Sequence, residues 1–423
     1  MPLDRRALLA AAAAAFAVPA AAQEPPAPPP PEPAPTTEQR LSAAALENRL
    51  PMRLDGGTFS GAGWDLLVRE GRDARFFQVG EEHGIAENPR LCAALFEALR
   101  PAGYDRLAIE ISPPMATVLD EAARGGLDGL RALFADPAAM VAFYTMREEA
   151  GMLARVRAAV PGTDPVLWGL DYEVAGDRRL IALLAREPKP AEAEVALAAV
   201  KAASDAAWTR YAESRNLGQA FSFSGDPALV RDLRAAWRQP SPRSAWILDT
   251  LEQTLAINRR WIDGQGYASN QARADFNRAN LLRHLRAEPG RKVMFKMGAS
   301  HLVRGLNYSE VFDIGSLAAE IAGIEGGHAF SVMVLPGLES QVAVLNPETL
   351  SYRSAAAKDQ YAEGLEPLTG QVFPDGYTLF DLRPLRRLLP SQRARTAHRE
   401  LARVVHGFDA LLVMTGSTPS ANL

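Results

Sequence analysis

Two rhythms of apolar and polar positions run along this chain. Short apolar runs of strand length, "ARFFQVG", "YDRLAIEI" and "DPVLWGLDYE", alternate with longer segments whose apolar residues recur every three or four positions, such as "NPRLCAALFEALRPAG", "SPPMATVLDEAARGG" and "MREEAGMLARVRAAVPG". An unbroken short apolar run marks a strand, and a period near 3.6 marks a helix. The stretch "WDLLVREGRDARFFQVG" reads as two strand pieces around a turn. From about residue 176 to 288 the strands stop, and four long segments keep helical spacing throughout. Strands return in "RKVMFKMGAS", "AFSVMVL", "YTLFDL" and "FDALLVMTG". This order predicts an α/β fold, with a mixed, largely parallel sheet, flanking helices and a large helical insertion at about 176–288.

In open α/β sheets the ligand crevice lies beyond the carboxyl ends of the strands. Four strands deliver an acid or a histidine there: Glu81, Glu82 and His83 after the first, then Glu110, Asp171 and His301. Such agreement predicts one shared polar site. Glu81 and Glu82 alternate in facing, so one of them turns to solvent. Glu110 sits in an apolar run, where a carboxylate is costly without partners. Asp171 either joins the site or caps the next segment. His301 follows Gly298, Ala299 and Ser300, small residues that admit a close neighbour. Asn88 is expected to cap a helix with Pro89 in its first turn, and Ser112 with Pro113 to open another. Two helix N-termini would then suit an anionic group or a developing oxyanion. His284, His328, His398 and His406 lie in helical, polar or turn contexts and read as structural.

Such a site has two uses, and the residues leave both open. It can activate water by general base catalysis, with one acid kept protonated by burial. It can instead hold a divalent metal through His83, His301, Glu81 and Glu110. The serine-hydrolase elbow, the H-E-x-x-H zinc motif and the phosphate-binding glycine loops have no match. Ser300, adjacent to His301 on an extended strand, points the other way.

Length and charge add bounds. A chain of 423 residues with 48% apolar and 23% charged residues can bury a sizeable core. Lys and Arg number 46 against 50 Asp and Glu, a balance that does not point to a nucleic-acid binder, so no nucleic-acid partner is expected. Residues 1–22 begin with Arg5 and Arg6, continue through small apolar residues and end in Ala20, Ala21 and Ala22, the pattern of a cleaved export signal. The adjacent arginines match a twin-arginine signal, so a periplasmic or secreted location is expected. The apolar run is too short to span a bilayer, so no stable membrane insertion is expected after cleavage. Residues 23–37 are proline-rich and are expected to form a disordered linker ahead of a single domain over 38–423. Cys92 is the only cysteine, so no intramolecular disulfide can form, and its helical apolar setting predicts burial.

In this order the pieces resemble the erythromycin esterase-like family, which is related to the G-E-x-H superfamily of haem-binding lipoprotein type. "DARFFQVGEEHGIAENPRL" resembles the family's first strand, in which Gly-Glu is followed by His-Gly and a further Glu, here Glu81, His83 and Glu87. "YDRLAIE" resembles its second strand and acid, and "VLWGLDYE" its Gly-x-Asp strand. "RADFNRAN" is similar to its Arg-to-Asn helix, matching Arg273 and Asn280. "KVMFKMGASHLVRG" with "DIGSLAAEIAG" is similar to its His-bearing strand and the segment after it. The resemblance implies a hydrolase of carboxylic esters acting on a small molecule without a cofactor. It implies that His83 with Glu81 activates water, that Glu110 is a second acid or orienter, and that His301 is an acid or oxyanion partner. Asp171, Arg273, Glu82 and Glu87 would contact substrate, and Glu81 rather than Glu82 would face inward. Some G-E-x-H relatives imply an alternative: a periplasmic haem- or metal-binding protein, or a metal-dependent hydrolase, using the same crevice. Here Glu81 and His83 are one residue apart rather than two, Glu82 stands for threonine, and Gly298 stands where the family often has histidine.

Overall fold

The computed structural model describes residues 34–360 and 364–423. The export signal expected over residues 1–22 and the expected linker up to residue 33 lie outside the described residues. Thr37, expected as the last linker residue, opens a helix, Thr37–Glu47.

Eleven strands are present among the described residues. They are β1 (Arg49–Asp55), β2 (Thr58–Ser60), β3 (Phe76–Glu81), β4 (Tyr104–Ile109), β5 (Leu167–Gly169), β6 (Lys292–Gly298), β7 (Ala329–Pro336), β8 (Gln341–Asn346), β9 (Ser351–Ala356), β10 (Tyr377–Asp381) and β11 (Ala410–Met414). Nine form one sheet in the order β2-β1-β10-β11-β7-β3-β6-β4-β5, and β8 with β9 forms a separate hairpin. From β11 to β5 every pairing is parallel, and the β2-β1-β10 edge is antiparallel. The fold is therefore a mixed, largely parallel α/β sheet with flanking helices. Strands β3, β6, β4 and β5 lie side by side, which brings their carboxyl ends to one edge. Register places Glu81 beside Gly298, and Ile109 beside Lys296 and Gly169.

β3 is fully buried because both sheet faces are covered. Phe77 and Val79 pack into a core with Leu95 and Met115, and Phe76 packs on the other face with Phe295 and Val404. The insertion consists of helices, chief among them Asp177–Arg186, Ala191–Ser214, Pro227–Ala236, Pro242–Ile262 and Gly266–Ala287. No helix among the described residues is long and apolar enough to cross a membrane.

The segment "WDLLVREGRDARFFQVG" departs from its expected reading. It holds a helix, Ala62–Asp73, and one strand, β3. Gly63, Leu66, Leu67 and Gly71 are its buried residues, at three- and four-residue spacing. A side chain at 71 would lie 2.7 Å from Leu99, so glycine there lets the helix press on its neighbour.

Candidate functional site

Four strand ends and one helix of the insertion converge on Glu110. Its carboxylate is buried just past β4 and accepts from the Gly298 N–H at 2.6 Å and from Arg273 Nη2 at 3.0 Å. Two imidazoles flank it, with His83 Nε2 at 3.5 Å and His301 Nε2 at 3.3 Å. Each ring is anchored through its other nitrogen to a second carboxylate. His83 Nδ1 lies 2.8 Å from Glu81 Oε1, and His301 Nδ1 lies 2.7 Å from Asp313 Oδ2. A carboxylate on Nδ1 fixes both the orientation and the tautomer of a histidine.

The backbone explains this convergence. Glu81 is the last residue of β3, and Glu82 is tied by its N–H to Val334 O on β7. Glu81 therefore turns into the cluster, whereas Glu82 stays partly exposed outside it. A Cβ at Gly298 would lie 3.0 Å from His83 Nε2 and 3.2 Å from Glu110 Oε2. Glycine at 298 thus opens the space that the His83 ring and the Glu110 carboxylate share. His301 sits on the short helix Ala299–Leu302, and Asp313 is held because its other oxygen caps the helix Ile314–Ile324.

Arg273, on the helix Gly266–Ala287, donates through Nε and Nη2 to both oxygens of Asp171 and also reaches Glu110. Its guanidinium lies over the Tyr172 ring at 4.8 Å. Asn280, on the same helix, donates to Leu170 O at 2.9 Å and fixes the helix to the end of β5. Glu87 belongs elsewhere: both its oxygens accept from Thr418, so it is not among the groups around Glu110. Asn88 does not cap its helix. The helix Glu87–Leu99 begins before it, and the buried Asn88 amide donates to Glu81 Oε2. Ser112 does cap the helix Pro113–Ala123 by accepting from the Met115 N–H. Cys92 is fully buried. His284 stacks on Trp168, and burial lowers its pKa to about 4, in keeping with a neutral structural role.

Sequence reading missed the groups behind this front. Lys296 is buried in the middle of β6, 2.5 Å from Glu81 Oε1 and 2.8 Å from Glu149 Oε1. A lysine inside the apolar run "VMFKMG" was the available signal, because an unpaired buried ammonium is not tolerated. Phe143 stacks on the His83 ring, with centroids 3.8 Å apart and planes 12° from parallel. Nothing in its sequence context marked it.

Charge pairing sets the protonation states. Burial alone would raise the Glu81 carboxyl, but Lys296 and then His83 hold it at about 2. Burial works against charge on His83, but Glu81 and the bond to Glu110 raise it to about 10. For His301, burial and Arg273 oppose charge, while Glu110 and Asp313 prevail and raise it to about 10. Glu110 is pulled well below the usual range: burial opposes this, and His301 and His83 outweigh it. Glu149 is lifted by burial to about 7, despite Lys296, and its Oε2 has no hydrogen-bond partner among the described residues. The resting site therefore holds two imidazolium rings around one carboxylate.

Fit to a metal can be judged from the donors. Atoms of Glu110, Asp171 and His301 lie within 4.8 Å of one another. Arg273 already bridges Glu110 and Asp171, so a cation occupies the place where an ion would sit. Both nitrogens of each histidine face carboxylates, and the two rings are charged. An ion there would have to displace the Arg273 guanidinium and the His301 ring proton.

No protein-family model and no curated protein matches the chain. Solved structures share its fold over nearly its whole length. A Bacillus cereus protein superposes with a TM-score of 0.61 at 15% identity, covering 92% of this chain and 100% of its own. A mutant of erythromycin esterase EreC in its open conformation gives 0.57 at 16% identity, covering 88% and 98%. A succinoglycan biosynthesis protein gives 0.58 at 12% identity, covering 91% and 99%. At these identities the likeness is one of fold, and it includes the fold of the family that the sequence resembles.

Proposed function

We propose that this chain is an exported hydrolase of the erythromycin esterase-like type that cleaves a carboxylic ester in an uncharged small molecule, without a metal. The observation that carries this reading is the pair of carboxylate-anchored histidines facing one another across Glu110. His83 is the base. Glu81 holds Nδ1, and the ring keeps 26% of its side-chain surface exposed, against 10% for His301. Neutral His83 takes a proton from water at Nε2 as the oxygen attacks the ester carbonyl. His301, still charged, donates to the developing oxyanion. As the tetrahedral species collapses, His83 returns its proton to the leaving alkoxide, so acid and alcohol depart and His83 is neutral again. Glu110 keeps the two rings in register, and Arg273 with Asp171 forms the wall on the β5 side.

An uncharged substrate is favoured because every cation of the site already faces a carboxylate. An anionic substrate would have to displace one of these pairs. Phe143 and Tyr172 supply apolar surface beside the charged groups. The test is an ester panel run on the purified protein before and after chelation. Turnover that survives chelation is expected. Bound metal with no ester turnover would overturn this reading in favour of metal binding.

A further inference from the structure

We propose that residues 418–423 form a clamp that positions His83, acting on the ring from two sides at once. The proposal deepens the reading of His83 as the base, because it names what holds that base in place. On one side the segment brackets the His83 turn. The Ala86 N–H donates to Thr418 O, the Ser420 N–H donates to Gly84 O, and Ile85 pairs with Pro419 as an antiparallel bridge. Thr418 also holds both oxygens of Glu87, which opens the next helix. On the other side it brackets the Phe143 turn. The Arg147 N–H donates to Ala421 O, the Leu423 N–H donates to Thr145 O, and Met146 pairs with Asn422.

One strained position, Phe143, and one that only glycine can fill, Gly84, show why such a clamp is required. Phe143 has φ of 65°, a left-handed conformation that an aromatic residue adopts only when its surroundings hold it there. Its N–H is taken by the Tyr352 hydroxyl on β9. Tyr352 is in turn fixed by Asn422, whose side chain accepts from the Tyr352 N–H and donates to its carbonyl, both at 2.9 Å. Gly84 has φ of 97°, and a Cβ there would lie 2.1 Å from Ala343 O. The Gly84 carbonyl accepts from Ala343 and Ser420 together, so the hairpin and the clamp meet beside His83. Phe143 and His83 belong to separate turns, and this one segment bonds to both. Their stacking therefore depends on it. Phe143 and Tyr352 are positioning residues, not catalytic ones.

The test is the rate of backbone deuterium uptake in the peptide that carries His83 at neutral pH, followed by mass spectrometry with the peptide that carries exposed His328 as internal reference. Deleting residues 418–423 is expected to raise the rate in the His83 peptide about tenfold, as expected when a turn loses one or two hydrogen bonds and opens locally. Phe143→Ala should raise it similarly, Phe143→Tyr should restore the original rate, and Tyr352→Phe should give a smaller rise. An unchanged rate in the His83 peptide of a natively folded deletion variant overturns the clamp. If the deletion does not fold, an unchanged rate in both Tyr352→Phe and Phe143→Ala overturns it equally. Ester turnover in the same preparations keeps the two proposals apart: no turnover in any form, with the expected uptake rates, retains the clamp and overturns the hydrolase.

Discussion

His83 and His301 approach Glu110 from neighbouring strands with the same bonding pattern but under different cover. Each has a carboxylate on Nδ1 and Glu110 near Nε2. His301 sits on a short helix, and its partner Asp313 is locked by its own capping bond. His83 sits in a turn held by Phe143 and by residues 418–423, and it keeps more than twice the exposed side-chain surface. The chemistry of a histidine–acid pair is therefore not enough to assign a role. In the proposed hydrolase, access to water decides which ring exchanges a proton during turnover and which stays a fixed charge.

The largest expected effect tests that division directly. His83→Ala should lower kcat/KM by about 10²–10⁴, the range for losing a general base. His301→Ala should lower it by about 10²–10³, as for loss of one oxyanion donor. The two should separate in stability as well. His301→Ala leaves Asp313 buried without its partner, so it should lower the denaturant midpoint more than His83→Ala does. Equal midpoints with equal rate losses would break the comparison.

A smaller effect lies in how stability depends on pH, measured by denaturant unfolding at stepped pH. Glu81 is held at about 2 against an ordinary value of 4.5, so its contribution is complete above 4.5 and is lost as pH falls through 2. The two histidines are raised from 6.5 to about 10. Their contribution is complete below 6.5 and is lost as pH rises through 10. Stability should thus decline on the alkaline side over that window. The decline should shrink more in His301→Gln than in His83→Gln, because solvent screens the more exposed pair.

Much of this arrangement was legible in the sequence. Acids and histidines at the ends of apolar runs carry their own physical signal, since a buried carboxylate such as Glu110 needs partners. Parallel strand order then brings their ends together. The helix Ala62–Asp73 was less legible because it runs straight into β3, and two adjacent apolar clusters imitate two strands. Glu87 was expected at the site through resemblance alone, yet it bonds to Thr418. Lys296 carried a signal that went unread. The role of "TPSANL" had no local signal, because most of it consists of backbone hydrogen bonds to turns more than 270 residues earlier in the chain. Periodicity reports which face of an element is buried, and it is silent on pairings of this kind.

The most direct test of the central claim is the pH dependence of kcat/KM for the ester that the protein hydrolyses fastest. This quantity reports ionisation in the free enzyme. With His83 as the base, held charged at rest, and His301 as the charged donor, kcat/KM should climb from neutral pH to a maximum near pH 10, where His83 loses its proton, and fall above it as His301 loses its own. That rising limb should be absent in His83→Ala. A profile that falls where this limb should rise, or a limb that survives His83→Ala, would contradict the assignment of His83 as the base.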